Sequence, residues 1–383
     1  MATPVIVETK RTPVGKAGGS LENEPPENLA APVLKTLISN TNIQPDMVDE
    51  VVLGNAVGPG GNIARLALLT AGFPVDVPGV TIDRQCGSGL EAINYAARFI
   101  QNGAGHLYIA GGVESTSLAP WKVERPVNPD EEPRFFSRAR FSPDTIGDPE
   151  MGIAAENVAI KYGISRKDQD AFALRSHQLA SIAQKAGHFE QEIVPIEQAD
   201  GTIVKHDECP RGKKLENLLP RLRPVFQKDG TVTAGNSCPM NDGAAATLIV
   251  SREKAETLGL EPLATFVDAA TAGVDPNLLG IGPVPAVNKL LKRNHLTVDD
   301  IGLVEFNEAF AAQVIASLHQ LQIPWDKVNI NGGAIALGHP YGASGGIMIA
   351  RLIQNMRQQQ VQYGIATMGI GGGMGSAVLL RLH

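Results

Sequence analysis

The chain has 383 residues, long for one simple domain and suited to two or three, and its 43% hydrophobic and 19% charged residues fit a globular protein with a large core. A net charge of -7 argues against general attraction to nucleic acid, and three widely spaced cysteines with no CxxC pair argue against a structural zinc site or a disulfide framework. No apolar run approaches ~18 residues, so no membrane span is expected, and a reducing cytoplasm is the default setting.

The N-terminus, MATPVIVETKR, reads as a strand rather than a signal peptide. Residues 29–55 (LAAPVLKTLISNTNIQPDMVDEVVLGN) give an amphipathic helix, a polar loop, an acidic pair, a buried strand and Asn. The strand VTID follows, then Cys86 with GSG, a helical run through Ile100, and the apolar strand LYIAGG at 107–112. The stretch 115–240 is different. It is rich in proline and charge, then helical from GIAAENVAIKYG onward, with Ser165 and Asp168 spaced as a capping box. It reads as a subdomain lying over the rest.

After this stretch the first pattern returns. Residues 284–307 (VPAVNKLLKRNHLTVDDIGLVEFN) repeat the helix, loop, acidic pair, strand and Asn of 29–55. VNING, GASGGIMIARLI and GIATMGIGGG then repeat strand, Gly-rich loop, helix, apolar strand and Gly-Gly. The expected fold is α/β: two similar halves with mixed five-stranded sheets and helices around a pseudo-twofold, plus the covering subdomain. The expected boundaries are 1–114 with 241–261 returning to it, 115–240, and 262–383.

Four segments carry chemistry: DRQCGSGL (83–90), NEAF (307–310), GHPYGASG (338–345) and GIGGGMG (369–375). Cys86 stands just before a helix marked by Leu90, Ile93, Ala97 and Ile100, where the helix N-terminus favours a thiolate. Spacing alone leaves an inert buried thiol equally open. His339 is displayed on a Gly/Pro turn, and Asn307 follows a strand, where it would also serve as a helix N-cap.

Taken together these segments resemble the thiolases, enzymes that act on acyl-CoA through a cysteine thioester. The resemblance runs from VETKRTPVGK (7–16) to the last Gly-rich strand. It implies that Cys86 is the nucleophile and that His339 takes its proton. It further implies that Asn307 holds a water beside an enolate oxygen, that Glu308 orients its neighbours, and that the N–H of Gly371 joins that of Cys86 in an oxyanion hole. For CoA or substrate it implies Arg211, from the basic run that continues through Lys213, Lys214, Arg221, Arg223 and Lys228, together with Met151, Phe226, Cys238, Ala309 and Leu279. Coenzyme A is substrate or product rather than a bound cofactor, no metal is expected, and the family implies a homodimer or homotetramer.

One position departs from the family. Where thiolases carry a second reactive cysteine before the last Gly-Gly-Gly, this chain has Gly369, which cannot move a proton. The expected activity is an acetyl-CoA C-acetyltransferase with altered proton transfer, and Cys238 is a candidate substitute base. An acyl-CoA thioesterase or decarboxylating condensing enzyme using Cys86, His339 and Asn307, and an acyl-CoA-binding protein without turnover, stay open. Residues 121–150 depart strongly from common biosynthetic thiolases, which leaves acyl-chain length open.

Overall fold

The computed structural model describes residues 2–128 and 130–383. In chain order, β1 (Pro4–Arg11) and β2 (Gly15–Lys16) lead to α1 (Pro26–Thr41), β3 (Glu50–Gly54), α2 (Ile63–Thr70), β4 (Gly79–Ile82), α3 (Ser88–Gln101) and β5 (Leu107–Ser115). The covering stretch holds a hairpin, β6 (Lys122–Glu124) with β7 (Arg134–Phe136), then α4 (Met151–Tyr162), α5 (Arg166–Lys185) and a second hairpin, β8 (Ile196–Glu197) with β9 (Ile203–Val204). There follow β10 (Asn241–Ser251), α6 (Arg252–Leu258), β11 (Ala264–Gly273), α7 (Pro283–Arg293), β12 (Leu303–Phe306), α8 (Ala311–Leu321), α9 (Ala334–Leu337), α10 (Tyr341–Gln359), β13 (Tyr363–Ile370) and β14 (Met374–Leu382).

The internal repeat is visible in these elements. α1 and β3 correspond to α7 and β12, while β4, α3 and β5 correspond to the Val328 segment, α10 and β13. Where the first half has all of β4 beside β3, the second has a single parallel bridge from Val328 to Val304. The strand order is β12-β13-β14-β11-β1-β10-β5-β3-β4, with β2 beside β10. The halves meet where β1 and β11 pair antiparallel at Val5–Thr265 and Ile6–Ala264, so their sheets join into one of ten strands. Parallel pairs lie at the outer ends and antiparallel pairs in the middle.

Three apolar clusters set the layers. One packs α1 and α2 on the first half. A second packs α7 and α8 on the other half. The third holds α3 and α10 in the middle, where Leu90, Ile93, Ala97, Ile100, Ile349 and Leu352 meet strand residues of both halves, such as Ile249 and Val378. The central helices approach closely because glycines line their contact. A Cβ on Gly89 would lie 2.5 Å from the Gly342 carbonyl oxygen, nearer than atoms can pack. This crossing brings the start of α3, behind Cys86, against the start of α10, behind His339.

Buried charge ties the covering stretch to the sheet. Arg11 of β1, 1% exposed, donates from Nε to Glu192 at 2.7 Å and forks onto Asp207 at 2.7 and 2.9 Å. Ser165 does cap α5, accepting from the Asp168 N–H at 3.1 Å. Its hydroxyl donates back to the Asp168 carboxylate at 2.6 Å.

Candidate active site

Cys86 is half-buried ahead of α3, whose first residue is Ser88. Gln85, with φ 49°, makes the left-handed turn that presents the cysteine. The backbone N–H groups of Gly371 and of Cys86 itself lie close enough to lower the thiol. They favour the thiolate, as the helix N-terminus was expected to do. Burial outweighs them and, with the charges of Glu114 and Asp83, pushes the thiol up to about 11.

His339 is 1% exposed. Its backbone N–H donates to Asn241 Oδ1 at 2.8 Å, and Nδ1 lies 2.6 Å from Ser344 Oγ. The Ser344 hydroxyl donates to the Pro340 carbonyl at 3.1 Å, so its oxygen accepts from Nδ1–H. This assigns the proton to Nδ1 and leaves the Nε2 lone pair free to take one. Asn307 Nδ2 donates toward Nε2 at 3.3 Å. Burial lowers the imidazole to about 4, so it rests neutral.

Asn307 sits at the end of β12, its N–H on the Thr367 carbonyl at 3.0 Å. It caps no helix, because α8 starts at Ala311 with Phe310 in the N-cap position. Glu308 is fully buried and touches neither Cys86 nor His339 through a hydrogen bond. Its carboxylate accepts from Ser176 Oγ at 2.6 Å, Asn329 Nδ2 at 2.7 Å and the Ile335 N–H at 3.1 Å. It therefore joins α5, the Asn329 turn and α9 behind the NEAF loop.

Gly369 lies near the end of β13. A Cβ there would meet the Gly280 oxygen at 3.2 Å and Gln313 Nε2 at 3.3 Å, and these two groups already bond each other at 3.2 Å. Neither an amide nor a carbonyl titrates near neutral pH, so neither replaces an acid/base thiol. Leu279, 7% exposed, directly precedes Gly280. Cys238 donates its N–H to the Ala309 carbonyl at 2.9 Å, and bridges Ser237–Phe310 and Met240–His339 hold its segment between the NEAF and GHP loops. Its thiol is raised by burial and then by the charge of Cys86.

Sequence reasoning missed three residues. Tyr341 stands edge-on to His339 at 5.1 Å between centroids, and its hydroxyl is raised by burial and by the charges of Cys238, Cys86 and Glu114. Phe141 lies on the Gly371–Gly372 turn, its ring edge 2.8 Å from where a Gly371 Cβ would be. Ser344, read only as part of a Gly-rich loop, fixes the His339 tautomer. A hydroxyl five residues after a candidate base was the available signal for Ser344. The irregular stretch around Phe141 gave none for it.

Met151 at the start of α4, Ala309 and Phe310 share a small apolar cluster. Phe226 joins it, T-shaped to Phe310 at 6.0 Å. Arg211 is exposed and lines a cavity of about 240 Å³ with Lys16, His177, Glu208, Ser237 and Pro239. It also borders a hollow of about 270 Å³ with Lys214 and Leu218. Lys213, Lys214, Arg221, Arg223 and Lys228 are exposed. Among the described residues no cluster of His, Cys, Asp or Glu is placed to hold a metal ion, and no helix is long and apolar enough to cross a membrane.

Comparison with known proteins identifies the family. Residues 4–253 match the model of the thiolase N-terminal domain, and residues 260–382 that of the thiolase C-terminal domain. The provisionally named acetyl-CoA C-acetyltransferase VraB of Staphylococcus haemolyticus is 52% identical over 383 residues, covering 100% of this chain and 99% of its own. Its namesake in Staphylococcus aureus strain MRSA252 is 51% identical over 381 residues, 99% of each chain. The crystal structure of the Bacillus anthracis acetyl-CoA acetyltransferase superposes with a TM-score of 0.93 at 40% identity, over 100% of this chain and 99% of that one. The chain belongs to the thiolase family, with its α/β thiolase fold.

Proposed function

We propose that this protein is an acetyl-CoA C-acetyltransferase working by a ping-pong route through an acyl-Cys86 intermediate. The observation that carries the reading is the buried His339, with Nδ1 on Ser344 Oγ at 2.6 Å and Nε2 3.3 Å from the Asn307 amide, on a helix start packed against the one behind Cys86. In this reading the backbone N–H groups of Cys86 and Gly371 meet the oxygen charge of a tetrahedral thioester adduct. Across the site, His339 Nε2 carries the lone pair, which accepts from the Asn307 amide at 3.3 Å and can take a proton in its place. His339 takes the Cys86 proton as the sulfur attacks and returns it when the sulfur leaves. Once protonated, Nε2–H stabilises the thioester oxygen of the second acyl group, aided by a water on Asn307.

Glu308 acts at a distance, as a positioning residue that holds the NEAF loop in register. The residues 115–240 cover the site. Arg211 and Lys214 meet the CoA phosphates as charge-assisted donors, and the Met151, Phe226, Ala309 cluster lines the pantetheine path. A second copy of the chain covers the open edge of β4, whose residues are all partly exposed, and the exposed Leu66, Leu69 and Val75 of the adjoining α2 region.

The test is intact-protein and peptide mass spectrometry after mixing with acetyl-CoA. One acetyl group on the Cys86 peptide, slowed by His339→Asn and abolished by Cys86→Ala, is expected. Labelling that persists in Cys86→Ala would remove the proposal. Acetylation followed by release of free acetate, without transfer to CoA, would favour a thioesterase instead.

A further inference from the structure

We propose that the Cys238 thiol is the acid/base that moves the α-carbon proton, taking over the work that Gly369 cannot do. The inference rests on the acyl-Cys86 reading and adds the group that its carbon–carbon step requires. It begins from the lining of the Arg211 cavity. Ser237 and Pro239 both line the Arg211 cavity, while Cys238 between them does not. The segment is extended from the Ser237–Phe310 bridge to the Met240–His339 bridge, so alternate side chains point to opposite sides. Cys238 thus turns away from the cavity assigned to CoA, on a segment bridged to His339 and bonded to the NEAF loop. There it lies within electrostatic reach of Cys86 and Tyr341.

Other titratable groups near Cys86 have partners of their own, and Asp83, which accepts from the Gln85 N–H at 2.7 Å, is exposed. Glu114 accepts from Asn55 Nδ2 and from the N–H groups of Ala56, Val57 and Gly342 at 2.9 to 3.1 Å, which occupies both carboxylate oxygens. His339 serves Cys86. Tyr341 remains the rival.

The cleavage of a 3-ketoacyl-CoA then balances. The Cys86 proton passes to His339 Nε2 and the sulfur bonds to C3, whose oxygen charge is met by the N–H groups of Cys86 and Gly371. The C2–C3 bond breaks, its electron pair goes to C2, and Cys238 S–H protonates C2 to release acetyl-CoA. The Cys238 thiolate takes the proton of incoming CoA-SH, and the CoA thiolate attacks acyl-Cys86. The Cys86 sulfur leaves and recovers its proton from His339. Burial and the nearby Cys86 raise the Cys238 thiol, so it rests in the protonated form that this sequence starts from.

The experiment uses Cys238→Ser, which keeps size and hydrogen bonding, beside wild type and Tyr341→Phe. Three readouts are taken: acetylation of Cys86 by acetyl-CoA, exchange of the acetyl-CoA methyl protons in heavy water by NMR, and thiolysis of acetoacetyl-CoA. The proposal expects Cys238→Ser to keep Cys86 acetylation and to lose exchange and thiolysis by about 100-fold to 10,000-fold, the range for general acid–base groups. Adding Gly369→Cys should restore both, since a Cβ at 369 needs its neighbours to give only slightly. Thiolysis in Cys238→Ser within about threefold of wild type, or selective loss in Tyr341→Phe alone, overturns it. So does loss of acetylation in Cys238→Ser, which would make the residue part of the loop's architecture. Absence of acetyl-Cys86 in wild type would instead sink the acyl-enzyme reading beneath it.

Discussion

The pH profile of Cys86 reactivity follows directly from the burial of its sulfur. With the thiol pushed up to about 11, the thiolate fraction at pH 7 is on the order of 10⁻⁴. An unperturbed thiol near ~8.5 carries a few per cent. Alkylation of the free enzyme by iodoacetamide, followed on the Cys86 peptide by mass spectrometry, should therefore run roughly 300-fold slower at pH 7 than that of a model thiol. It should rise about tenfold per pH unit from 7 to 10, where the thiolate is the only reactive form. His339 is held down to about 4, so it rests neutral and forms no ion pair with the sulfur. His339→Ala should leave the slope unchanged. A rate that stays flat between pH 6 and 9, and that steepens when His339 is removed, would mean a resting thiolate–imidazolium pair. That result would refute the account of the site's electrostatics.

Other outcomes follow from packing and charge. Phe141→Ala removes the ring that lies on Gly371 and should raise kcat/KM for a hexanoyl chain relative to acetoacetyl-CoA by about tenfold or more; an unchanged ratio would place Phe141 outside the acyl pocket. Arg11→Ala leaves Glu192 and Asp207 buried without their cation, and urea unfolding should show a loss of about 3–5 kcal/mol. Gly89→Ala forces α3 away from the Gly342 carbonyl, with a cost of about 1–3 kcal/mol and a fall in kcat through misplacement of Cys86 against His339. Glu305 is raised by burial to about 7 from 4.5, so folding takes up a proton between those values and stability falls as pH rises through that window. Glu305→Gln lacks this loss, and from pH 5 to 7.5 it should gain on wild type by at most on the order of 3 kcal/mol. The gap should not widen further at higher pH.

Much of this could be read along the chain. The repeat of 29–55 in 284–307 announced α1–β3 and α7–β12, because apolar periodicity is a local property. The period Leu90, Ile93, Ala97, Ile100 fixed the buried face of α3, and all four are fully buried. The glycine at 369 was visible as a missing functional group. What stayed hidden depends on contacts between distant segments. No pattern near Phe141 tells that it lies on Gly371, and nothing in GHPYGASG tells that Tyr341 shares a space with Cys238. A helix N-terminus at Cys86 is legible in sequence, but the burial of the sulfur and the charge of Glu114, on another element, are not. Asn307 resembled an N-cap because the Phe310–Ala311 helix start lies only a few residues on.

The central claim is covalent thiolase chemistry at Cys86, and acetoacetyl-CoA with free CoA tests it most directly. Loss of the acetoacetyl-CoA absorbance is followed with wild type and with Cys86→Ala, and the product is identified by chromatography. The account predicts two acetyl-CoA for each acetoacetyl-CoA consumed, and no conversion above background in Cys86→Ala. Equal conversion by the two proteins, or an acetylated Cys86 that never cleaves the carbon–carbon bond, would contradict it.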